Sequence, residues 1–170
     1  AVAAQLVLAL VEPQSSGLGG GGFLMHYDGA THEIVAYDGR ERAPRGATPT
    51  MFLDARGQPL NFLDARTGGI AIGAPSVVAM MKAAHEDSGR LPWARLFEPA
   101  IRLAEQGFAI SPRMARLVAY SGEHERLRAD FRARAYFFDR DGNPWPVGHI
   151  LQNPEYAATL RAIAAEGPAA

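Results

Sequence analysis

Cysteine is absent from the 170 residues, which excludes disulfides, cysteine-ligated zinc, iron–sulfur clusters and thiol nucleophiles in one step. Lysine occurs once, at Lys82, against sixteen arginines, a skew that points to a bacterial genome of high G+C content. Excess charge of either sign is also missing. The formal net charge is −1, so the chain lacks the positive surplus that a phosphate backbone attracts, which argues against nucleic acid as its main partner. No apolar run is long enough for a membrane span: Ala1 to Val11 is apolar except for Gln5 and stops at Glu12-Pro13, well short of the roughly 20 residues required. No basic region precedes that run, which disfavours a signal peptide. It is expected to be a buried helix entered partway along, and the stop after Ala164-Ala165-Glu166-Gly167-Pro168 fits a piece of a longer protein.

What is present is globular: 48% of the residues are hydrophobic and 21% charged, enough to bury a sizeable core. After the first helix comes a loop with four consecutive glycines, Gly19 to Gly22. Two apolar runs, 23–27 and 33–37, then flank a turn at Asp28-Gly29-Ala30-Thr31 and predict a β-hairpin. Neither run alternates apolar with polar residues, so a sheet covered on both faces is expected. From 40 to 69 the breakers Pro44, Pro49, Gly57 and Pro59 predict a long loop with at most a small hairpin. From residue 73 the pattern turns helical, with helices predicted at 75–87, 92–106, 112–120, 123–134 and 154–166. Ser111-Pro112 and Asn153-Pro154 each set an N-cap before a proline at the first helical position. Residues 1–73 thus form a sheet-bearing section and 74–170 a mainly helical one, an α+β layout.

Most candidate chemistry has a plainer reading. The glycine tract lacks both the G-x-x-x-x-G-K-[ST] pattern and the strand–loop–helix order of a phosphate-binding loop, leaving close backbone approach or unusual φ/ψ as its use. Pro13-Gln14-Ser15-Ser16-Gly17 lacks the first glycine of a nucleophile elbow. The histidines at 26, 32, 85, 124 and 149 include no pair at metal-ligand spacing. Asp139-x-Asp141 opens like a calcium loop, but Ile150 stands where a bidentate glutamate belongs, so a turn is expected. Six arginines between Arg113 and Arg134, against Glu123, Glu125 and Asp130, read as a solvated helix face with some arginines paired. Arg40 is better placed for chemistry. It follows the second strand, where loops on a rigid sheet carry ligand contacts, and its guanidinium suits a carboxylate held through two parallel hydrogen bonds. A structural ion pair with Asp38 or Glu41 is the commoner arrangement, and the residue pattern leaves both open.

Longer strings add a resemblance. Val11-Glu12-Pro13-Gln14-Ser15-Ser16-Gly17-Leu18 with the glycine tract and Phe23, then Asp38-Gly39-Arg40-Glu41-Arg42-Ala43-Pro44, closely resemble the γ-glutamyltranspeptidase family. Leu91-Pro92-Trp93, Phe97 to Phe108, Asn153 to Leu160 and Glu166-Gly167-Pro168 continue the match in the family's order. The resemblance implies part of an αββα four-layer sandwich of the N-terminal-nucleophile hydrolase type, and specifically part of the large subunit of a self-cleaving precursor. It implies a small subunit as partner, whose first residue is a catalytic threonine, and a γ-glutamyl donor such as glutathione. No catalytic residue, metal ligand or cofactor is implied for this chain, and the oxyanion hole is also a small-subunit feature. Arg40 matches the family arginine that holds the donor's α-carboxylate, with Glu41 expected to support it. At Ser76 the family often has glycine, a difference expected to alter the start of the helix rather than the chemistry. Cephalosporin acylases, a γ-polyglutamate-processing transpeptidase and a non-enzymatic binding protein of the same fold are the alternatives. A periplasmic or secreted location is implied by the family's habit.

Overall fold

A computed structural model describes residues 1–67, 69–120 and 127–170. The chain is α+β. Helix α1 (Val2–Val11) leads through the glycine tract into strands β1 (Gly22–Tyr27) and β2 (Ile34–Gly39), followed by a short helix α2 (Phe62–Thr67). Helices α3 (Val77–Ser88), α4 (Glu98–Gln106) and α5 (Pro112–Ala119) come next, with strand β3 (Phe108–Ala109) between the last two. The remainder is helix α6 (Phe131–Phe137), strand β4 (Ile150–Leu151) and helix α7 (Pro154–Glu166).

Strands β1 and β2 pair antiparallel, with Gly22 opposite Gly39 and Tyr27 opposite Ile34. The turn between them is held by Asp28, whose Oδ1 accepts from the Ala30 amide at 2.8 Å. Its left-handed residue is His32, with φ of 60°, and not Gly29. One face of the hairpin, carrying Leu24 and Tyr37, packs against the core. The other presents Phe23, Met25, Tyr27 and Ile34, all more than half exposed. Coverage on both faces, expected from the unbroken apolar runs, is therefore not supplied by the described residues.

The core has two contiguous parts. Leu6, Val77, Met80, Met81, Phe97, Ala100, Leu160 and Ile163 form the first. Leu10, Ala104, Phe108, Ile110, Met114, Leu151 and Ala157 form the second. Leu6 and Leu10 lie four residues apart on one face of α1, so this helix feeds both parts. Packing of α1 on α4, and of α4 on α7, joins the start of the chain to its end.

The helical predictions need three corrections. The stretch 92–106 is not one helix but a 3₁₀ turn (Trp93–Leu96) followed by α4. Pro99 in the first turn of α4 has no N–H to give to the carbonyl four residues back, and its ring crowds that carbonyl. The helix expected at 123–134 lies partly outside the described residues. Within them, Asp130 caps α6 by accepting from the amides of Arg132 and Ala133, and the helix runs on to Phe137. The loop 40–69 does contain a small hairpin, Leu53 bridging Pro59, but it also holds the short helix α2, which the loop prediction lacks. Strands β3 and β4 pair over two residues each, too short to leave a periodic signal. The caps at Ser111 and Asn153 form as expected, accepting from Met114 and Tyr156 respectively.

Candidate functional site

The site is built where the end of β2 passes the start of α3. Gly39 lies directly on Met80 of α3, and a β-carbon there would come within 2.6 Å of the methionine's own. Glycine therefore lets the strand end press onto the helix. Beyond it, Arg42 and Ala74 bridge through their backbones, the Ala74 amide donating to the Arg42 carbonyl at 2.8 Å. The segment 39–42 is thus held alongside 74–76.

Arg40 projects from this ledge with 71% of its side chain exposed, and its Nε lies 3.4 Å from Oε2 of Glu41. Asp38 does not pair with the guanidinium in this way; its Oδ1 accepts from the Arg40 amide at 2.9 Å. The ion pair read from the residues is therefore with Glu41. It leaves the Arg40 side chain largely open to solvent, beside a cleft of about 350 Å³ lined also by Arg42, Phe52, Ile70 and Ile72.

Glu41 sits in a cradle of glycines. A β-carbon on Gly20 would lie 3.3 Å from its Oε1, one on Gly21 would lie 2.7 Å from both its amide nitrogen and its Oε2, and one on Gly73 would lie 2.9 Å from its Cβ. Among the described residues, none from Gly19 to Gly22 has positive φ, so close approach, not unusual backbone conformation, is what Gly20 and Gly21 provide. The carboxyl of Glu41 is held below the usual glutamate range. Its own backbone amide is the main cause, and the amide of Gly21 and the charge of Arg40 add to it against the opposing effect of desolvation.

Ser76 joins this ledge although the sequence pattern placed it only at a helix start. Its Oγ donates to the carbonyl oxygens of Gly39 and Arg40, each at 2.9 Å. Its one signal in the sequence is a serine where the resemblance often implies glycine.

Other sequence candidates go elsewhere. Asp139 makes a turn, its Oδ1 accepting from the amides of Asp141 and Asn143, and Gly142 takes positive φ there. Arg113 of the arginine-rich stretch pairs with Glu12 at 3.2 Å and donates to Ser15 at 3.0 Å, while Glu123, His124 and Glu125 lie outside the described residues. Among the described residues no group of three or more His, Cys, Asp and Glu side chains is placed to hold a metal ion, and no helix is long and apolar enough to cross a membrane.

Comparison with known proteins gives one consistent result. The model of the family described as gamma-glutamyltranspeptidase matches residues 1–170. The glutathione hydrolase proenzyme of Bacillus subtilis strain 168 is 40% identical over 167 residues, covering 98% of this chain and 28% of that protein. Glutathione hydrolase 3 of Arabidopsis thaliana is 37% identical over 171 residues, covering 100% of this chain and 25% of that protein. The crystal structure of Helicobacter pylori gamma-glutamyltranspeptidase superposes with a TM-score of 0.89 at 37% identity, over 98% of this chain and 46% of that one. The chain thus spans about a quarter of the length of these curated relatives.

Proposed function

The chain belongs to the γ-glutamyltranspeptidase family, and from that premise we propose that it is the donor-anchoring part of an enzyme that cleaves γ-glutamyl amides such as glutathione. The observation that carries this reading is the placement of Arg40. Its guanidinium stands largely exposed at the end of β2, with one edge steadied by Glu41 and a cleft beside it. A planar fork in that position meets a carboxylate through paired N–H···O bonds. Holding the α-carboxylate of the donor leaves the γ-carbonyl at the far end of the glutamyl chain and turns it toward the nucleophile, which lowers the barrier by orientation.

The nucleophile in this reading is the first threonine of a small subunit released by self-cleavage of the same precursor. Its α-amine takes the hydroxyl proton as Oγ1 attacks the γ-carbonyl carbon. The tetrahedral intermediate collapses with breakage of the C–N bond, and the leaving amine takes that proton. A γ-glutamyl ester remains on the threonine. Water or the amine of an amino acid or peptide then attacks the ester, releases the γ-glutamyl product and restores the hydroxyl. The exposed apolar face of the β1–β2 hairpin, with Phe23, Met25, Tyr27 and Ile34, is where the remaining sheet of the sandwich packs. A periplasmic or secreted location and a bacterial source, the latter on the arginine skew, complete the proposal.

The test is self-cleavage of the full-length protein together with release of a chromophore from a γ-glutamyl anilide. The expected result is two subunits and turnover. A protein that stays in one piece and releases nothing, yet binds a γ-glutamyl compound, overturns the enzymatic reading in favour of a binding protein of the same fold.

A further inference from the structure

Ser76 occupies the N-cap of α3 but does not cap it. A serine at that position ordinarily accepts from an amide in the first helical turn. The amides of Ser76 and Val77 both donate to the carbonyl of Gly20 at 3.2 Å, which ties the start of α3 to the glycine tract. The hydroxyl turns instead to the ledge that carries the arginine, 2.9 Å from the Gly39 carbonyl and 2.9 Å from the Arg40 carbonyl. A serine hydroxyl has one proton, so the two carbonyls share it in a three-centre bond.

This arrangement fixes Arg40 from every polar side of its backbone. Asp38 Oδ1 holds the Arg40 amide, while Ser76 holds the carbonyl before Arg40 and the carbonyl of Arg40 itself. The side chain it supports is long and 71% exposed, and immobilising such a chain on binding costs conformational entropy. A rigid base reduces the part of that cost that belongs to the backbone. We propose that Ser76 is a positioning residue for donor binding: its hydroxyl locks the Gly39–Arg40 backbone so that the Arg40 guanidinium meets the donor's α-carboxylate in one orientation. The proposal rests on the role assigned above to Arg40.

The experiment measures KM and kcat for a γ-glutamyl anilide in the processed enzyme. The variants are Ser76→Ala, Ser76→Gly and Ser76→Thr, each made with Arg40 intact and with Arg40→Ala. Loss of the hydroxyl in Ser76→Ala and Ser76→Gly is expected to raise KM roughly three- to tenfold with kcat nearly unchanged, the worth of one hydrogen bond. Ser76→Thr, which keeps the hydroxyl, is expected to restore the wild-type KM. In the Arg40→Ala background the same substitutions are expected to leave KM unchanged, because the two residues act as one unit. An unchanged KM in Ser76→Gly, while Arg40→Ala raises it, overturns the role of Ser76 alone. The same rise in both backgrounds also overturns it, as a general structural effect. An Arg40→Ala enzyme with wild-type KM overturns the donor-anchoring reading itself. Glycine is a good N-cap residue, so Ser76→Gly keeps the test available if Ser76→Ala matures poorly. Failure of both to mature, with no KM shift in the fraction that does, assigns Ser76 to folding and overturns the proposal.

Discussion

Gly21 lies so close to Glu41 that a β-carbon on the glycine would stand 2.7 Å from both the glutamate's amide nitrogen and its Oε2. The contact explains why glycine stands at position 21 without any ligand. The chain passing Gly21 is pressed against the backbone on which Arg40 is carried, and the same β-carbon would come within 2.4 Å of the Gly39 carbonyl oxygen.

Gly21→Ala is therefore expected to push the end of β2 away from the tract. Overpacking of this kind costs about 1–3 kcal/mol, and because two of the three nearest atoms are backbone, a rotamer change cannot relieve it. A fall in the thermal midpoint, together with a raised donor KM, is the expected outcome. Gly22→Ala serves as the control, since a β-carbon there meets nothing within 4 Å.

Replacing Arg40 tests the site directly. Removing a charge-assisted hydrogen-bond donor from a carboxylate is worth about 1.5–3 kcal/mol, so Arg40→Ala is expected to raise KM about ten- to a hundredfold. Arg40→Lys keeps the charge but loses the planar fork and is expected to recover only part of the loss. Steady-state kinetics on a γ-glutamyl anilide reads both, and full recovery by lysine would show that charge alone is recognised.

Glu41 carries a pH signature with a definite sign. Its folded carboxyl is held below the usual glutamate range, so it binds its proton less readily folded than unfolded. Its stabilising contribution is present above the unfolded value and is lost as pH falls through the lowered folded one. The difference in thermal midpoint between wild type and Glu41→Gln is expected to stay level down to the ordinary glutamate range and to close only below it. A difference that instead persists unchanged in strong acid would mean that the carboxylate charge is not what glutamine removes.

Tyr156 offers a test of the core away from the site. Its hydroxyl donates to the Leu6 carbonyl at 2.8 Å, tying α7 to α1, and burial pushes its pKa well above the usual tyrosine value. Tyr156→Phe removes that bond between the helices and is expected to cost about 1 kcal/mol, seen as a lower thermal midpoint with donor KM unchanged. The raised phenol also means stability present below the ordinary tyrosine pKa and lost as pH rises through the folded value. Alkaline unfolding of the phenylalanine variant is accordingly expected to be less steep.

Much of the helical half was legible because its signals are local. A serine or asparagine before a proline marks a helix start through bonds made within three residues, and Ser111 and Asn153 make those bonds. The hairpin was legible for the same reason, from two apolar runs and an Asp-Gly turn. Strands β3 and β4 were not, because two-residue strands exist only by pairing Phe108 with Leu151 across the fold. The break between Leu96 and Glu98 required weighing Pro99 inside an otherwise continuous pattern.

At the site the division is sharper. The sequence by itself determined the family, the candidate Arg40 and the neighbour Glu41, since these depend on residue identity and order along one short string. Only the tertiary structure decided that Glu41, not Asp38, takes the guanidinium. It alone showed that Gly20, Gly21 and Gly73 enclose that glutamate, and that the Ser76 hydroxyl leaves its own helix for the carbonyls of Gly39 and Arg40. The reason is distance along the chain: Ser76 stands 36 residues from Arg40, and a hydrogen bond across such a separation exists only once packing of β2 on α3 has brought the two segments together.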